Sequence, residues 1–210
     1  MIGSLILQNC LSSSTIDEVT SLVRRNTEVS HPKLNEFVIS DFNEFSGQSE
    51  IFQNIDIAFF CIGVYTGQVN DEKFKEIIVD YAVAFARAIK ENRTQATLCF
   101  LSGAGVDRTE KSRMAFARYK GIAENKISAL GLKAFYSFRP GYIYPVEPRK
   151  EPNFSYRMMR TFYPLIKLRG KNASIRSTEL ADAMFYAGLN GADREILENK
   201  EIIEIYKRYK

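Results

Sequence analysis

The chain has no tryptophan, one histidine and three cysteines, and each scarcity removes a class of chemistry. His31 is alone and precedes Pro32, which places it in a loop and excludes histidine triads and zinc sites built on histidine clusters. Cys10, Cys61 and Cys99 are odd in number and lie in apolar runs. They read as buried thiols of a reducing compartment, not as a disulfide set or a metal site. No apolar stretch reaches the roughly 18 residues that a membrane span needs, so no integral membrane segment is expected. The N-terminus lacks the basic segment of a secretory signal, which makes the cytosol the expected location. A net charge of +4 is too weak a surplus to imply a nucleic-acid partner.

What is present is ordinary globular material, 45% hydrophobic and 26% charged over 210 residues, enough for one domain with a sizeable core. Residues 18–23 and 36–40 are short β-prone runs. Residues 56–62 (DIAFFCI) and 97–102 (TLCFLS) are almost continuously apolar, as strands buried on both faces are. A further strand at 133–139 is stopped by Pro140-Gly141. Between these runs the period changes to that of helices. Residues 71–90 carry Phe74, Ile77, Ile78, Tyr81, Phe85 and Ile89 on one stripe, and helices are expected near 111–130, 154–168 and 178–189. A last strand is expected near 201–206. Alternating strands and helices predict an α/β fold with right-handed crossovers, in which ligands sit at the carboxyl ends of strands.

Three of those strand ends carry unusual chemistry: CIG (61–63), SGAG (102–105) and RPGYIYP (139–145). Together with LSGAG, FARYKG (116–121), FRPGYIYP and the closing LENKEI (197–202), the chain resembles the atypical short-chain dehydrogenase/reductases, nearest the branch of the Tat-interacting tumour-suppressor protein. The resemblance covers essentially the whole chain. It implies a single Rossmann-like domain over residues 1–210, a doubly wound parallel sheet with about 146–210 contributing a small C-terminal lobe. In that family a first strand runs into a G-x-x-G-x-x-G turn, and Gly3 matches only its last glycine. The chain is therefore expected to be truncated at its N-terminus, starting within the turn and its helix; an unconstrained terminal glycine is the alternative.

The resemblance also implies roles for individual residues. Arg24 and Arg25 follow the second family strand, where a guanidinium meets the 2′-phosphate of NADP(H) and an acid would favour NAD(H); a solvated charge pair is the alternative. Asp41 and Phe42 match the adenine side. Cys61, Ile62 and Gly63, with Pro140, Gly141 and Tyr142, match places where the backbone passes the cofactor. Family catalysis uses a serine that orients a carbonyl, a tyrosine that moves the proton and a lysine that tunes the tyrosine and holds the ribose. Ser102 and Lys120 match the first and last, but Phe116 stands at the tyrosine position. Tyr119, Tyr142 and Tyr144 are the other hydroxyls nearby, Tyr119 reading as an exposed helix tyrosine before it reads as a donor. The implied function is NADP(H) binding with reduction of a small carbonyl substrate, or else a cofactor-binding regulator acting through a protein partner. Residues 149–176 hold eight Lys/Arg against Glu151 alone, interleaved with aromatics. That stretch reads as a solvated helix face, or as a surface for an anionic substrate, an acidic partner or a membrane.

Overall fold

The computed structural model describes residues 1–92, 95–146 and 173–210. Helix α1 (Ile2–Ser12) leads into the parallel pair β1 (Val19–Val23) and β2 (Leu34–Val38). After β3 (Ile57–Phe60) the chain enters one long helical run: α2 (Asp71–Lys75), a π-helical turn (Glu76–Asp80) and α3 (Tyr81–Asn92). Asn70 starts it, its side-chain oxygen accepting from Lys73 N at 2.9 Å, with Asp71 and Glu72 complementing the helix dipole. There follow β4 (Thr97–Leu101), α4 (Ala115–Ser128), β5 (Ala134–Arg139), β6 (Tyr142–Tyr144), β7 (Ser174–Arg176), α5 (Ser177–Asn190), β8 (Ile196–Glu198) and α6 (Asn199–Tyr209).

Every observed strand pairing is parallel, and the main sheet has the order β3-β4-β5-β8. Helices cover both faces, so the fold is the expected doubly wound α/β sheet. One apolar layer holds Phe60, Leu98 and Phe100 of the sheet under Ile78, Ala82, Ile89, Ala123 and Ile127 of the helices. The other holds Cys99, Phe138 and Leu197 under Ile6, Leu180, Met184 and Ile202. Residues 98–101 are apolar because β4 is buried between these layers. The β1-β2 pair is a separate sheet. It nevertheless shares both layers, since Leu22 packs with the first and Val19 with the second. Among the described residues, the edge of β1 away from β2 and the edge of β3 away from β4 have no strand partner.

Two sequence expectations are corrected here. The strand near 201–206 is helix α6, and the strand lies earlier, at Ile196–Glu198. Ile202 and Ile205 are buried three residues apart, a helical spacing that the short apolar run EIIEIY masks. Helix α4 begins at Ala115, not 111, because Asp107 takes the preceding amides: its carboxylate accepts from Thr109, Lys111 and Ser112 N at 2.9, 3.1 and 2.8 Å. The helix near 154–168 and most of the basic stretch lie outside the described residues. Of the region expected to help form a small lobe, β8 joins the main sheet and α5 packs over β3 and β4.

Candidate functional site

Parallel strands put their carboxyl ends on one rim, and the fold brings the singled-out residues there. Gly3, in the first turn of α1, lies beside the end of β3: a Cβ on it would stand 3.5 Å from Cys61 Cβ. Arg24 and Arg25 follow β1 and are exposed. Asp41 is also exposed, its carboxylate accepting from Asn43 N at 2.9 Å. Phe42 belongs to the core instead, 3% exposed and packed with Phe45 and Tyr81. Ile62 packs on the same layer, while Gly63 is exposed beneath Ile78 of the π-helical turn.

The loops after β4 and β5 are stitched together. Ser102 N donates to Phe138 O at 2.8 Å and Ala104 N to Pro140 O at 3.0 Å. Pro140 is buried. Gly141 N donates to Asn199 Oδ1 at 2.8 Å, and Asn199 Nδ2 to Ser174 O at 3.0 Å, so LENKEI supports the RPG turn from behind. Tyr142 lies buried in β6 and Tyr144 half-buried at its end.

Four side chains of α4 address this rim. Lys120 is 4% exposed, its ammonium donating to Leu101 O at 2.7 Å and lying 4.2 Å from the centre of the Phe100 ring. Burial lowers its pKa to about 8, against the opposing pull of Glu124 and Cys61. Cys61, half-buried where a buried thiol was expected, is still pushed up to about 12 by desolvation, which keeps it a thiol. Phe116 rests on Gly103, where a Cβ would come within 2.6 Å of its ring tip. Tyr119 is not the exposed tyrosine expected: it is 7% exposed, and its hydroxyl donates to Asp71 Oδ2 at 2.6 Å. Glu124, fully buried, was not singled out from the sequence. Its Oε1 accepts from Ser102 Oγ and Ser137 Oγ, each at 2.7 Å, and from Arg139 Nε at 3.0 Å. Its Oε2 accepts from Arg139 Nη2 at 2.5 Å. Burial alone would raise its pKa, but the bonds from Arg139, Ser102 and Ser137 outweigh that and hold it below the usual range. The signal in the sequence was the pair Lys120 and Glu124, four apart on a helix face otherwise lined by Ala117, Gly121 and Ala123.

Chemically, the rim offers a helix start, two exposed guanidinium groups and exposed glycine backbone, which suit a phosphate-bearing nucleotide. It offers little for proton transfer. Phe116 has no proton to give, and the Ser102 proton is directed at Glu124, so Ser102 can accept a hydrogen bond from a ligand but not donate one in this arrangement.

No family model matches the chain. It is 28% identical over 172 residues to the protein fmp52, mitochondrial, of Aspergillus niger, covering 79% of this chain and 71% of the relative. It is also 28% identical over 144 residues to fmp52-2, mitochondrial, of Neosartorya fischeri, covering 68% and 62%. These relatives overturn the cytosolic expectation, since both carry a mitochondrial designation; the lack of a basic secretory segment had no bearing on that destination. Among solved structures, Gre2 of Candida albicans in complex with NADPH superposes with a TM-score of 0.69 at 13% identity, over 93% of this chain and 74% of Gre2. WbmG of Bordetella bronchiseptica in complex with NAD superposes with a TM-score of 0.68 at 12% identity, over 100% and 74%. The chain therefore has the Rossmann-type fold of these nicotinamide-cofactor proteins.

Proposed function

We propose that this chain is a mitochondrial protein of the atypical short-chain dehydrogenase/reductase type that binds NADP(H) along the rim. The observation that carries the reading is the convergence of Gly3, Arg24, Arg25, Gly63 and Lys120 on the carboxyl ends of the parallel strands. Bound there, the cofactor would supply hydride chemistry toward a small carbonyl substrate. Arg24 and Arg25 would hold the 2′-phosphate, the N-terminal turn of α1 would face the pyrophosphate, and Lys120 would turn from Leu101 O to the ribose. The edges of β1 and β3 that have no strand partner among the described residues support a further part of this reading: one more parallel strand, preceding α1, would pair with them and bring the rest of a glycine-rich turn to Gly3.

The test is thermal stabilisation by NADPH, NADP+, NADH and NAD+, with the 210-residue chain and an upstream-extended chain compared. A ligand at 100 times its Kd stabilises by about 2.7 kcal/mol. Arg24→Ala with Arg25→Ala is expected to weaken NADPH by roughly one to two decades and NADH far less, since losing one charge-assisted contact to the 2′-phosphate costs about 1.5–3 kcal/mol. Equal loss for both cofactors would make the arginines mere surface charge.

A second reading, a cofactor-binding regulator that does no chemistry and acts through a protein partner, is favoured by Phe116 and by the turned-in Ser102 hydroxyl. NADPH binding without turnover of any reactive aldehyde or quinone is the result expected of it.

A further inference from the structure

We propose that Glu124 is the positioning residue of the rim: it ties Ser102 to β5 and stands one helical turn from the Lys120 ammonium as its opposite charge. The role rests on the reading that Lys120 serves a bound dinucleotide, but its electrostatic half needs no cofactor.

The carboxylate is fully buried and accepts hydrogen bonds from Ser102 just past β4 and from Ser137 and Arg139 in β5, while Arg108, in the loop before α4, adds an ion pair with Nε 3.3 Å from Oε2. The same arginines reach outward, Arg139 to Glu198 at 3.2 Å and Arg108 to Glu195 at 2.6 Å. Glu124 thus joins α4, β4, β5 and the ends of β8 at one point. Ser102 is the residue between the two contacts that register α4 on the rim, Leu101 O beneath Lys120 and Gly103 beneath Phe116. A carboxylate that fixes Ser102 fixes both.

Glu124 also lies one helical turn from Lys120. The groups facing that ammonium are Glu124 on its own helix, the Cys61 thiol from the end of β3, and the Leu101 carbonyl and Phe100 ring from β4. The Met1 amino group acts on Cys61 from the start of α1. With Cys61 held protonated, Glu124 is the negative charge that opposes loss of the Lys120 proton. Burial drives that pKa down and Glu124 limits the fall.

The experiment is a 13C NMR titration of the lysine side chains in the whole chain, with Lys120→Arg identifying the resonance. Wild type should titrate near about 8. In Glu124→Gln the midpoint should drop by roughly one to three pH units, the usual effect of removing a close opposite charge. Glu124→Asp keeps the charge but withdraws it by a methylene; it should shift the same way by less, and it serves if the glutamine variant does not fold. Ser102→Ala leaves the charge in place. It should keep the midpoint and instead speed amide exchange at residues 103–105, as loss of one hydrogen bond to a charged group would. An unchanged Lys120 midpoint in a folded Glu124→Gln chain would overturn the proposal, as would unchanged exchange in Ser102→Ala. Wild type that NADPH does not stabilise would overturn the cofactor reading alone, because the titration proceeds without it.

Discussion

At the scale of single residues, the contact of Phe116 with Gly103 decides what a tyrosine there could do. The ring tip already occupies the space that a Cβ on Gly103 would enter, at 2.6 Å, and a phenolic oxygen extends from that same tip. Overpacking of this kind costs about 1–3 kcal/mol. Phe116→Tyr is therefore expected to lower stability by about that amount in urea denaturation and to leave NADPH-dependent aldehyde reduction at background. Full stability with new turnover would show that the ring swings off Gly103 at little cost. Tyr119 has the opposite character. Its hydroxyl donates to Asp71, so Tyr119→Phe should destabilise by about 1.5–3 kcal/mol, the range for a bond to a charged group, with NADPH affinity unchanged. None of this was legible in the sequence: Y-x-x-x-K spacing identifies which residue replaces the tyrosine, but not that Gly103, far back in the loop after β4, makes room for the replacement.

At the scale of elements, the buried central strands were readable, while the last strand and the start of α4 were not. Runs such as TLCFL declare a strand because burial between two helical layers demands apolar residues on both faces. The same logic misplaces the last strand, since EIIEIY is as apolar as a strand and its helical spacing shows only in which side chains are buried. The start of α4 depended on a side chain, Asp107, capturing amides that a longer helix would have used. That loop is locked to α4 at Gly121, where an added Cβ would fall 1.9 Å from the Asp107 carbonyl oxygen. Ala117 O also accepts from Asp107 N at 3.1 Å, so the backbone cannot retreat without losing a bond. Gly121→Ala should gain helix propensity of roughly 1 kcal/mol and still be destabilised overall by about 2 kcal/mol or more. Urea denaturation measures it, and a stabilised variant would show the loop free to move.

At the scale of the whole molecule, the described strands divide into the β1-β2 pair, the β6-β7 pair and the four-stranded β3-β4-β5-β8 sheet, and the spacing of Lys120 and Glu124 on α4 did not reveal which groups meet the buried charge at Glu124. Long-range pairing of Ser102, Ser137 and Arg139 on one carboxylate becomes visible only once β4, β5 and α4 are side by side. The buried titratable groups also set how stability responds to alkali, and they oppose one another. Lys120 is lowered to about 8 from 10.5, so between those values the unfolded chain holds a proton that the folded chain has lost, and stability rises with pH. The thiols act the other way. Burial raises Cys10 from 9.0 to about 11, Cys61 to about 12 and Cys99 higher still, so above pH 9.0 the folded chain keeps three protons that the unfolded chain sheds. From pH 8 to 9 the lysine acts alone and stability should rise slightly. From pH 9 to 10.5 the thiols outweigh it by two protons, and stability should fall by up to about 2.7 kcal/mol per pH unit. Urea denaturation at pH 8, 9, 10 and 10.5 under reducing conditions measures the curve. Cys10→Ala removes one of the three thiols and should flatten the descending limb by about half, its net excess dropping from two protons to one. A stability that stays level from pH 9 to 10.5, or a limb that Cys10→Ala leaves unchanged, would show that these thiols ionise as readily in the folded chain as in the unfolded one.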